Sequence, residues 1–368
     1  MNYIDRQYLD IMQDILDHGY RKQTRAGEVL SVFDRSMRFD LRDGSIPLLT
    51  TKKVFTKGCI IELLWFLSGN TNIKYLIDNN VNIWTDDAYR YYRELCEKHN
   101  SVLQYYNEGE GYVYGERNPL EKDDFIASVE AGSTEQFIFR DPKDGQFYSC
   151  DYTFGDLGDI YGKQWRSFGK SKFDQIQYII DTLKTNPDDR RMLCVAYNPD
   201  ALYALDGVAL PPCHMMFQFW TRELSEDERL RLVPQEELGK ASDDWSSRMD
   251  DLGIPKRELS CSFVCRSQDE PLGTPFNIFS YGCLTHIIAK LVNMTPGELI
   301  YHGEDCHIYT NQIDGCKEQL SRKGSDIIPK LKFTEGKEFK ELPDFTLEDF
   351  IIYDYNPDPV IKFPLSVG

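Results

Sequence analysis

Cys213, in "ALPPCHMMFQFW" (residues 209–220), is the side chain most suited to nucleophilic chemistry in this sequence. Two prolines precede it, and because proline fixes φ, they can pre-position the thiol. A reactive thiol also needs nearby positive charge to favour the thiolate, and Arg190, Arg191 and Arg266 each stand beside a predicted strand. A structural thiol is the alternative, since free cysteine is among the most buried residue types.

The segment "CRSQDEPLGTPFNIFSY" (residues 265–281) leads into an apolar helix with four polar side chains, Arg266, Ser267, Asp269 and Asn277. A guanidinium beside a hydroxyl suits a phosphate. The carboxamide of Asn277 offers both a donor and an acceptor, which matches the imide edge of a uracil ring. A turn with a helix N-cap is the alternative interpretation of the same residues.

Three further polar side chains suit binding or proton transfer. His307 and Tyr309 stand two apart in "HGEDCHIYTN", so on a strand they face the same way and could bond one sugar hydroxyl. Glu62 lies within "IIELLWFL", where a buried carboxylate with a raised pKa is typical of a general acid or base. A structural His/Tyr pair and a solvated Glu62 are the alternatives. Together with Cys213, these groups predict a site where a nucleophile attacks a pyrimidine nucleotide.

The elements that would position these groups are both helical and extended, so the sequence predicts an α+β fold. Apolar residues at helical spacing predict helices at 5–19, 59–69 and 278–292, and from Phe173 to a stop at Asn186-Pro187. Alternating or continuous apolar runs predict strands at 29–41, 192–197 and 214–220. We expect one domain over residues 1–368, with surface insertions at about 100–153 and 222–258.

Composition limits the classes of function. The 368 residues carry a net charge of −18 with a pI near 4.8, so a broad nucleic-acid-binding face is not expected. The ten cysteines lack zinc-site spacing, which predicts reduced thiols and no metal. The N-terminus does not read as a secretory leader, and no apolar run approaches the roughly 20 residues of a membrane span. We therefore expect a cytoplasmic protein without membrane contact.

The chain resembles the thymidylate synthase family. The segments that carry the resemblance follow the family's order, and they include "PLLTTKKVF", "ELLWFLSGNTNIKYL", "GDLGDIYGKQWRSFG", "NPDDRRMLCVAYNP", "ALPPCHMMFQFW" and "HGEDCHIYTNQI". The resemblance covers nearly the whole chain apart from the two insertions. It implies a bent, mostly antiparallel or mixed sheet packed by helices and a sheet-to-sheet homodimer. It also implies dUMP and 5,10-methylenetetrahydrofolate as substrates.

By position, the resemblance implies that Cys213 attacks C6 of the uracil ring, so that C5 becomes nucleophilic and captures the folate methylene. Glu62 would handle protons at O4 and C5 through water, and Tyr161 would assist proton removal at C5. Asn277 would select uracil. Asp269 resembles the family aspartate that contacts the ring.

The other residues carried over would bind the nucleotide or the folate. The 3′-hydroxyl would be held by His307 and Tyr309. The phosphate would be bound by Arg25, Arg266 and Ser267 of one subunit, and by Arg190 and Arg191 of the other. Lys52, Trp84 and Asp269 would line the folate site. A site shared in this way predicts an inactive monomer.

The sequence also departs from the family pattern. "RAGEV" replaces the usual Arg-Thr-Gly-Thr-Gly-Thr, Thr85 replaces an Asp, Cys265 replaces a Gln, and Gly368 extends the C-terminal segment. These changes fall near the phosphate and the folate, so they bear on the last step. Hydride from tetrahydrofolate gives thymidylate, whereas water gives 5-hydroxymethyl-dUMP, as in related virus-encoded hydroxymethylases.

Trp84 is retained, which favours hydride transfer and hence thymidylate. Four alternatives stay open. These are a dUMP hydroxymethylase, a cytidylate hydroxymethylase, a catalytically silent relative, and an RNA- or protein-binding module on the same fold. Asn277 argues against a cytosine substrate, because for cytosine an Asp is expected at position 277. A Cys/His hydrolase is a weaker alternative, because His214 is adjacent to Cys213 and the two would face opposite sides of a strand.

Overall fold

The computed structural model describes residues 1–98, 102–105, 112–115, 118–140, 145–204, 207–240 and 244–365. The strands in these ranges are β1 Tyr20–Thr24, β2 Gly27–Asp40, β3 Val102–Tyr105, β4 Tyr112–Gly115, β5 Thr134–Arg140, β6 Phe147–Thr153, β7 Leu193–Val195, β8 His214–Glu223, β9 Arg257–Asp269, β10 Thr295–Tyr309, β11 Lys330–Phe333 and β12 Phe350–Tyr353. The α-helices are α1 Tyr3–His18, α2 Thr56–Leu67, α3 Lys74–Asp78, α4 Thr85–Lys98, α5 Lys122–Ala131, α6 Tyr161–Arg166, α7 Gln175–Thr185, α8 Pro199–Leu202, α9 Glu226–Leu230, α10 Gln235–Leu238, α11 Trp245–Asp251, α12 Gly273–Leu291 and α13 Ile313–Leu320.

A six-stranded mixed sheet lies at the centre, in the order β1-β2-β10-β9-β8-β7. Neighbouring strands are antiparallel except for β9 and β10, which are parallel. Parallel neighbours need a long crossover connection, and α12 supplies it. The expected α+β fold, with a mixed sheet packed by helices, is confirmed.

The first helix shows how local sequence sets an element. The side chain of Asn2 accepts hydrogen bonds from the backbone N–H groups of Ile4 and Asp5, which caps the helix start. Gly19 follows the last helical residue, and its N–H closes the final turn on Ile15 O. The buried apolar face of α1 packs on the core beneath the sheet, close to the predicted span of 5–19.

Three predicted helix starts are wrong. The helix predicted at 59–69 is α2, which begins at Thr56. The helix predicted at 278–292 begins at Gly273, so Asn277 lies inside α12 rather than in a turn before it. The helix predicted from Phe173 begins at Gln175, because Asp174 caps it by accepting from the N–H of Gln177. Phe173 therefore does not join the buried helix face, and 48% of it is exposed.

The two predicted insertions contain their own elements. Between 100 and 153, two antiparallel hairpins flank α5, and Phe125 and Tyr152 pack against Tyr92 of α4. Between 222 and 258, Val233, Met249 and Ile254 form a small separate core. Arg222 ties this segment to the sheet by bonding both Glu228 and the buried Glu258.

Candidate active site

Cys213 lies directly before β8 and is partly exposed, while the other eight cysteines whose side chains are described are buried. Its backbone N–H donates to the hydroxyl of Tyr161 at 2.7 Å. Its carbonyl accepts the N–H of Arg266, on the neighbouring strand β9, at 2.9 Å. These two bonds, with the two prolines before it, fix the backbone that carries the thiol.

The guanidinium of Arg266 is held against the same loop. Its Nε donates to Pro212 O and its Nη2 to Pro211 O, both at 2.8 Å. Burial raises the pKa of the Cys213 thiol, and the positive charge of Arg266 only partly offsets that effect. Burial therefore outweighs the positive charge that favours the thiolate. Among the described residues, the positive charge that acts on this thiol is that of Arg266 and not that of Arg190 or Arg191.

Tyr161 stands in an aromatic stack beside the thiol. Its ring stacks on those of His214, at 4.2 Å between centroids, and Phe66, at 4.8 Å, which lie 6.0 Å from each other. Its φ of +26° is an unusual backbone conformation for a residue with a side chain, so the surrounding packing must hold it.

His214 does not act on the neighbouring thiol in this arrangement. Its Nδ1 bonds the hydroxyl of Tyr281 at 2.9 Å, and burial lowers its pKa to about 3. The imidazole is therefore neutral at physiological pH. This bonding gives no support to a Cys/His hydrolase, in which the imidazole would bond the thiol.

Glu62 projects from α2 towards the same site. Its Oε1 accepts a 2.6 Å hydrogen bond from the indole Nε1 of Trp84. Burial raises the pKa of Glu62 to about 7, and the Trp84 bond limits the rise. The Trp84 ring also meets the Tyr161 ring edge-on at 5.9 Å. A carboxyl that titrates near pH 7 can both donate and accept a proton.

Asn277 presents its carboxamide from α12, between two side chains of β9. Its Nδ2 donates to Oε1 of Gln268 at 3.0 Å, and lies 3.9 Å from Sγ of Cys265. Gln268 and Cys265 are both buried. The residue pattern did not identify Gln268 as a site residue, because its contact with Asn277 depends on α12, which begins earlier than predicted.

Asp269 ends β9 and is bonded on both oxygens. Oδ1 accepts the N–H of Leu272 at 3.1 Å, and Oδ2 accepts Nε2 of Gln312 at 3.0 Å. Burial raises the pKa of Asp269, although these bonds oppose the rise. Nε2 of Gln312 also donates to Pro364 O at 3.1 Å, so one side chain links the site to the C-terminal segment.

Lys52 lies on the other side of that segment. Its Nζ donates to Pro271 O and sits 4.5 Å from the centre of the Phe363 ring. Burial lowers the pKa of Lys52 to about 8, despite the nearby charge of Asp269. A groove of about 370 Å³ opens next to it, lined by Lys52, Lys53, Val54, Phe55, Thr56, Lys57, Leu272, Pro275, Phe276, Val360 and Ile361.

His307 and Tyr309 share one side of β10, and their rings meet edge-on at 5.3 Å. Nδ1 of His307 bonds Asp305 O at 3.1 Å and lies 3.4 Å from Oδ1 of that residue. Burial lowers the pKa of His307, but Asp305 and Asp269 outweigh it and the net pKa is raised. Asp305 is in turn anchored by Lys22 and Ser31.

The predicted phosphate ligands divide into two groups. Arg25 is exposed in the two-residue turn between β1 and β2, near Tyr309, and Ser267 pairs with Asp305 across β9 and β10. Arg190 and Arg191 instead lie before β7 at the sheet edge, where Arg191 pairs with Asp189 and is 78% exposed. Arg266 is thus held against the Cys213 loop, Arg25 and Ser267 lie near residues of β10, and Arg190 and Arg191 are exposed at the sheet edge.

Three departures from the family pattern can be placed. The turn containing Arg25 is short because β1 and β2 pair up to Thr24 and Gly27. Thr85 begins α4, and within the described residues its buried hydroxyl has no hydrogen-bond partner. Cys265 is buried beneath Asn277. Gly368 lies outside the described residues.

Comparison with known proteins gives a consistent result. The thymidylate synthase family model matches residues 6–367. The chain is 37% identical to the thymidylate synthase of Listeria innocua, over 98% of this chain and all of the relative. It is 37% identical to that of Saccharomyces cerevisiae, over all of this chain and 98% of the relative.

The chain belongs to the thymidylate synthase family. It is also 35% identical to the bifunctional dihydrofolate reductase-thymidylate synthase of Leishmania amazonensis, and it spans 56% of that longer protein. The chain is thus a one-carbon methyltransferase of the thymidylate synthase type, which uses methylenetetrahydrofolate as co-substrate, and this activity is supported over that of a hydroxymethylase.

In the described ranges, His, Cys, Asp and Glu side chains form no group of three or more that could hold a metal ion. None of the described helices is both long enough and apolar enough to cross a membrane.

Proposed function

We propose that this chain converts dUMP to thymidylate with Cys213 as the nucleophile. The observation that carries the proposal is that one tyrosine contacts both a partly exposed cysteine and the tryptophan that bonds a carboxyl of pKa about 7. Tyr161 accepts from the backbone of Cys213 and packs edge-on against Trp84, which bonds Glu62. The thiolate adds to C6 of the uracil ring, so that C5 can form a bond to the one-carbon unit.

The same geometry supports the proposed nucleotide contacts. Asn277 faces O4 and N3–H of the ring with one donor and one acceptor. His307 and Tyr309, side by side on β10, hold the 3′-hydroxyl. Arg266 and Ser267 take the phosphate, together with Arg25 from the turn between β1 and β2. Arg266 would then have two roles. It would bind the phosphate, and it would favour the thiolate when the nucleotide excludes water.

Glu62 and Tyr161 manage the protons. With a pKa of about 7, Glu62 can donate towards O4 as the thiolate adds and accept when the ring charge collapses. Tyr161 is positioned by its stack on His214 and Phe66, and it assists removal of the proton from C5. Loss of that proton and of the folate amine leaves an exocyclic methylene on the ring. Hydride from tetrahydrofolate then reduces this methylene, and elimination of Cys213 releases thymidylate and dihydrofolate.

The groove beside Lys52 fits the folate. Its walls include Leu272, Phe276 and Ile361, which suit a flat aromatic ligand, and Lys53 and Lys57 stand where carboxylates of a glutamate tail would lie. Asp269 is close because its Oδ1 accepts the N–H of Leu272. Its carboxylate can receive hydrogen bonds from the pterin ring.

The C-terminal segment favours hydride transfer over hydration. Phe363 packs on Lys52, and Pro364 is bonded by Gln312, so this segment lies at the edge of the proposed folate site. Trp84, fixed by its bond to Glu62, would also line the folate site. A site closed by these residues excludes the water that would otherwise attack the exocyclic methylene.

We also propose a homodimer formed through the sheet. The side of the sheet opposite α12 carries neighbouring, partly exposed apolar residues, among them Met216, Val264 and Ile300, with Trp220 58% exposed. Gln218 of the same surface donates to Arg190 O, so the two outward arginines stand at its border. From there Arg190 and Arg191 can reach the phosphate bound by a second copy.

The function is tested by identifying the nucleotide product. The protein is incubated with dUMP and methylenetetrahydrofolate, the product is identified by mass, and dihydrofolate is followed by absorbance. Thymidylate with an equal amount of dihydrofolate is expected. Hydroxymethyl-dUMP without dihydrofolate would contradict the proposed final step, and no nucleotide product would contradict the whole proposal.

A further inference from the structure

Gln268 and Asn277 form a bonded pair of buried carboxamides. Oε1 of Gln268 lies 3.0 Å from Nδ2 of Asn277, and only 2% of Gln268 is exposed. One N–H of Asn277 is therefore used inside the protein. The second N–H and Oδ1 stay available to a ligand, which makes them a donor and acceptor pair on one edge.

The fold leaves room for this pair at Gly273. A Cβ on Gly273 would lie 2.5 Å from Nε2 of Gln268, closer than any non-bonded contact allows. A methyl group at the first residue of α12 would therefore displace the amide end of Gln268 from this position. Nε2 of Gln268 also lies 3.5 Å from Asp269 O, which favours the amide orientation that turns Oε1 towards Asn277.

Cys265 cannot supply the same restraint. Its Sγ is 3.9 Å from Nδ2 of Asn277, and sulfur is a weak acceptor. A thiol at this distance does not distinguish the nitrogen from the oxygen of a carboxamide. Gln268 is thus the strong acceptor that sets which way the Asn277 amide points.

We propose that Gln268 is a positioning residue that makes the site bind uracil in preference to cytosine. Uracil presents O4 as an acceptor and N3–H as a donor, whereas cytosine presents a donor at N4 and an acceptor at N3. Asn277 meets uracil in the orientation that Gln268 fixes. To meet cytosine the amide must turn over, which would bring its Oδ1 against Oε1 of Gln268.

The inference rests on the proposed function of Asn277, and binding measurements separate the two. Dissociation constants for dUMP and dCMP are measured by calorimetry for the unmodified protein and for Gln268→Met, which keeps the length of the side chain and removes the acceptor. We expect dUMP binding to weaken about tenfold, the effect of one lost buried hydrogen bond. We expect dCMP binding to stay equal or to tighten, so the preference for dUMP shrinks by at least that factor.

A second variant keeps every polar group. Gly273→Ala places a methyl against Nε2 of Gln268, while its distance to Nδ2 of Asn277 is an ordinary 3.9 Å. We expect the same loss of preference from the displaced glutamine. Adding Cys265→Gln to Gln268→Ala returns an amide acceptor to the same nitrogen and should restore the preference. If it does not, Gln268 acts by some means other than as the acceptor for Asn277.

Gln175→Met is the matched control. Gln175 is a buried glutamine that bonds backbone carbonyls of Gln164 and Val195, away from the nucleotide. This control should lower stability and leave the ratio of the two dissociation constants unchanged. The inference is contradicted if Gln268→Met also leaves that ratio unchanged, or weakens both nucleotides equally, in a protein that still forms thymidylate. A parent protein that does not bind dUMP would instead contradict the proposed function.

Discussion

The indole Nε1–H of Trp84 donates a 2.6 Å hydrogen bond to Oε1 of Glu62. This is the one hydrogen bond recorded to that carboxylate among the described residues, and Trp84 stands immediately before α4. Trp84, which helps to close the proposed folate site, therefore also lowers the pKa of Glu62, the residue that moves protons. Because burial raises the pKa of Glu62 to about 7 and the indole bond lowers it, the two effects can be separated by mutation.

Glu62→Gln should make the protein more stable above pH 7. Between the ordinary glutamate pKa of about 4.3 and the folded value of about 7, the folded state binds more protons than the unfolded state. Stability therefore falls as pH rises through this window, and the loss is complete above pH 7. Without the carboxyl this loss disappears, so we expect a gain on the order of 2 kcal/mol at pH 8, allowing for partial exposure, and little change at pH 4.

Urea denaturation at both pH values measures this effect. The variant should also lose activity by a factor of about 100, the usual contribution of a general acid or base. Trp84→Phe serves as the comparison, since it retains the carboxyl and raises its pKa further, so the decline in stability should extend to higher pH. Equal stability of Glu62→Gln and the parent at pH 8 would show that Glu62 is ionised without penalty.

Asp305→Asn should lower the pKa of His307. Burial alone lowers this pKa, and the bonds and charge of Asp305, with the charge of Asp269, reverse the effect. With an amide at 305 the pKa should fall from its raised value, because less opposes the effect of burial. A raised histidine pKa stabilises the folded state at low pH, and this stabilisation is lost as pH rises through the folded pKa. The variant also loses the bonds of Asp305 to Lys22 and Ser31 at neutral pH, so its loss of stability should be larger below pH 6 than above it.

NMR titration of the imidazole signals measures the pKa of His307 directly, with His307→Gln identifying its signal. The other five histidines act as internal controls. A His307 pKa that does not move would mean that Asp305 orients the ring without setting its charge.

Mixing two inactive variants tests the shared site. In a mixed dimer of Arg191→Ala and Cys213→Ala, one site combines an intact Cys213 with an intact Arg191 from the other subunit. Half of the dimers in an equimolar, fully exchanged mixture are mixed, so about a quarter of the parent activity should return. Arg191→Ala mixed with the double variant Arg191→Ala/Cys213→Ala gives no such site and should stay inactive. Failure of the first mixture to regain activity would place Arg191 outside its neighbour's site.

Local patterns predicted much of the fold. The helix predicted at 5–19 and the strand predicted at 29–41 lie within two residues of α1 and β2, because each has a regular apolar period and clear end signals. The start of α12 was missed because its first turn contains Gly273 and Pro275, which are typical of a loop. Proline is nevertheless tolerated in the first turn of a helix, where its missing N–H has no partner to lose.

The site was less accessible to sequence reasoning. Cys213, Glu62 and Asn277 could be selected by residue type, and the resemblance supplied a role for each. Gln312 could not be selected by residue type, because its importance comes from contacts with Asp269 and Pro364, which are 43 and 52 residues away along the chain. The raised pKa of the Cys213 thiol could not be predicted from the sequence either, because it depends on burial in the folded chain.

The most direct test of the central claim is to trap the bond between Cys213 and the nucleotide. The protein is incubated with methylenetetrahydrofolate and 5-fluoro-dUMP, in which fluorine replaces the C5 proton that must leave, so the reaction stops with the thiol still attached. After digestion, mass spectrometry should find nucleotide and folate bound to the peptide containing Cys213, and no such product with Cys213→Ser. Absence of the adduct from the parent protein, or its attachment to a different residue, would contradict the assignment of Cys213 as the nucleophile.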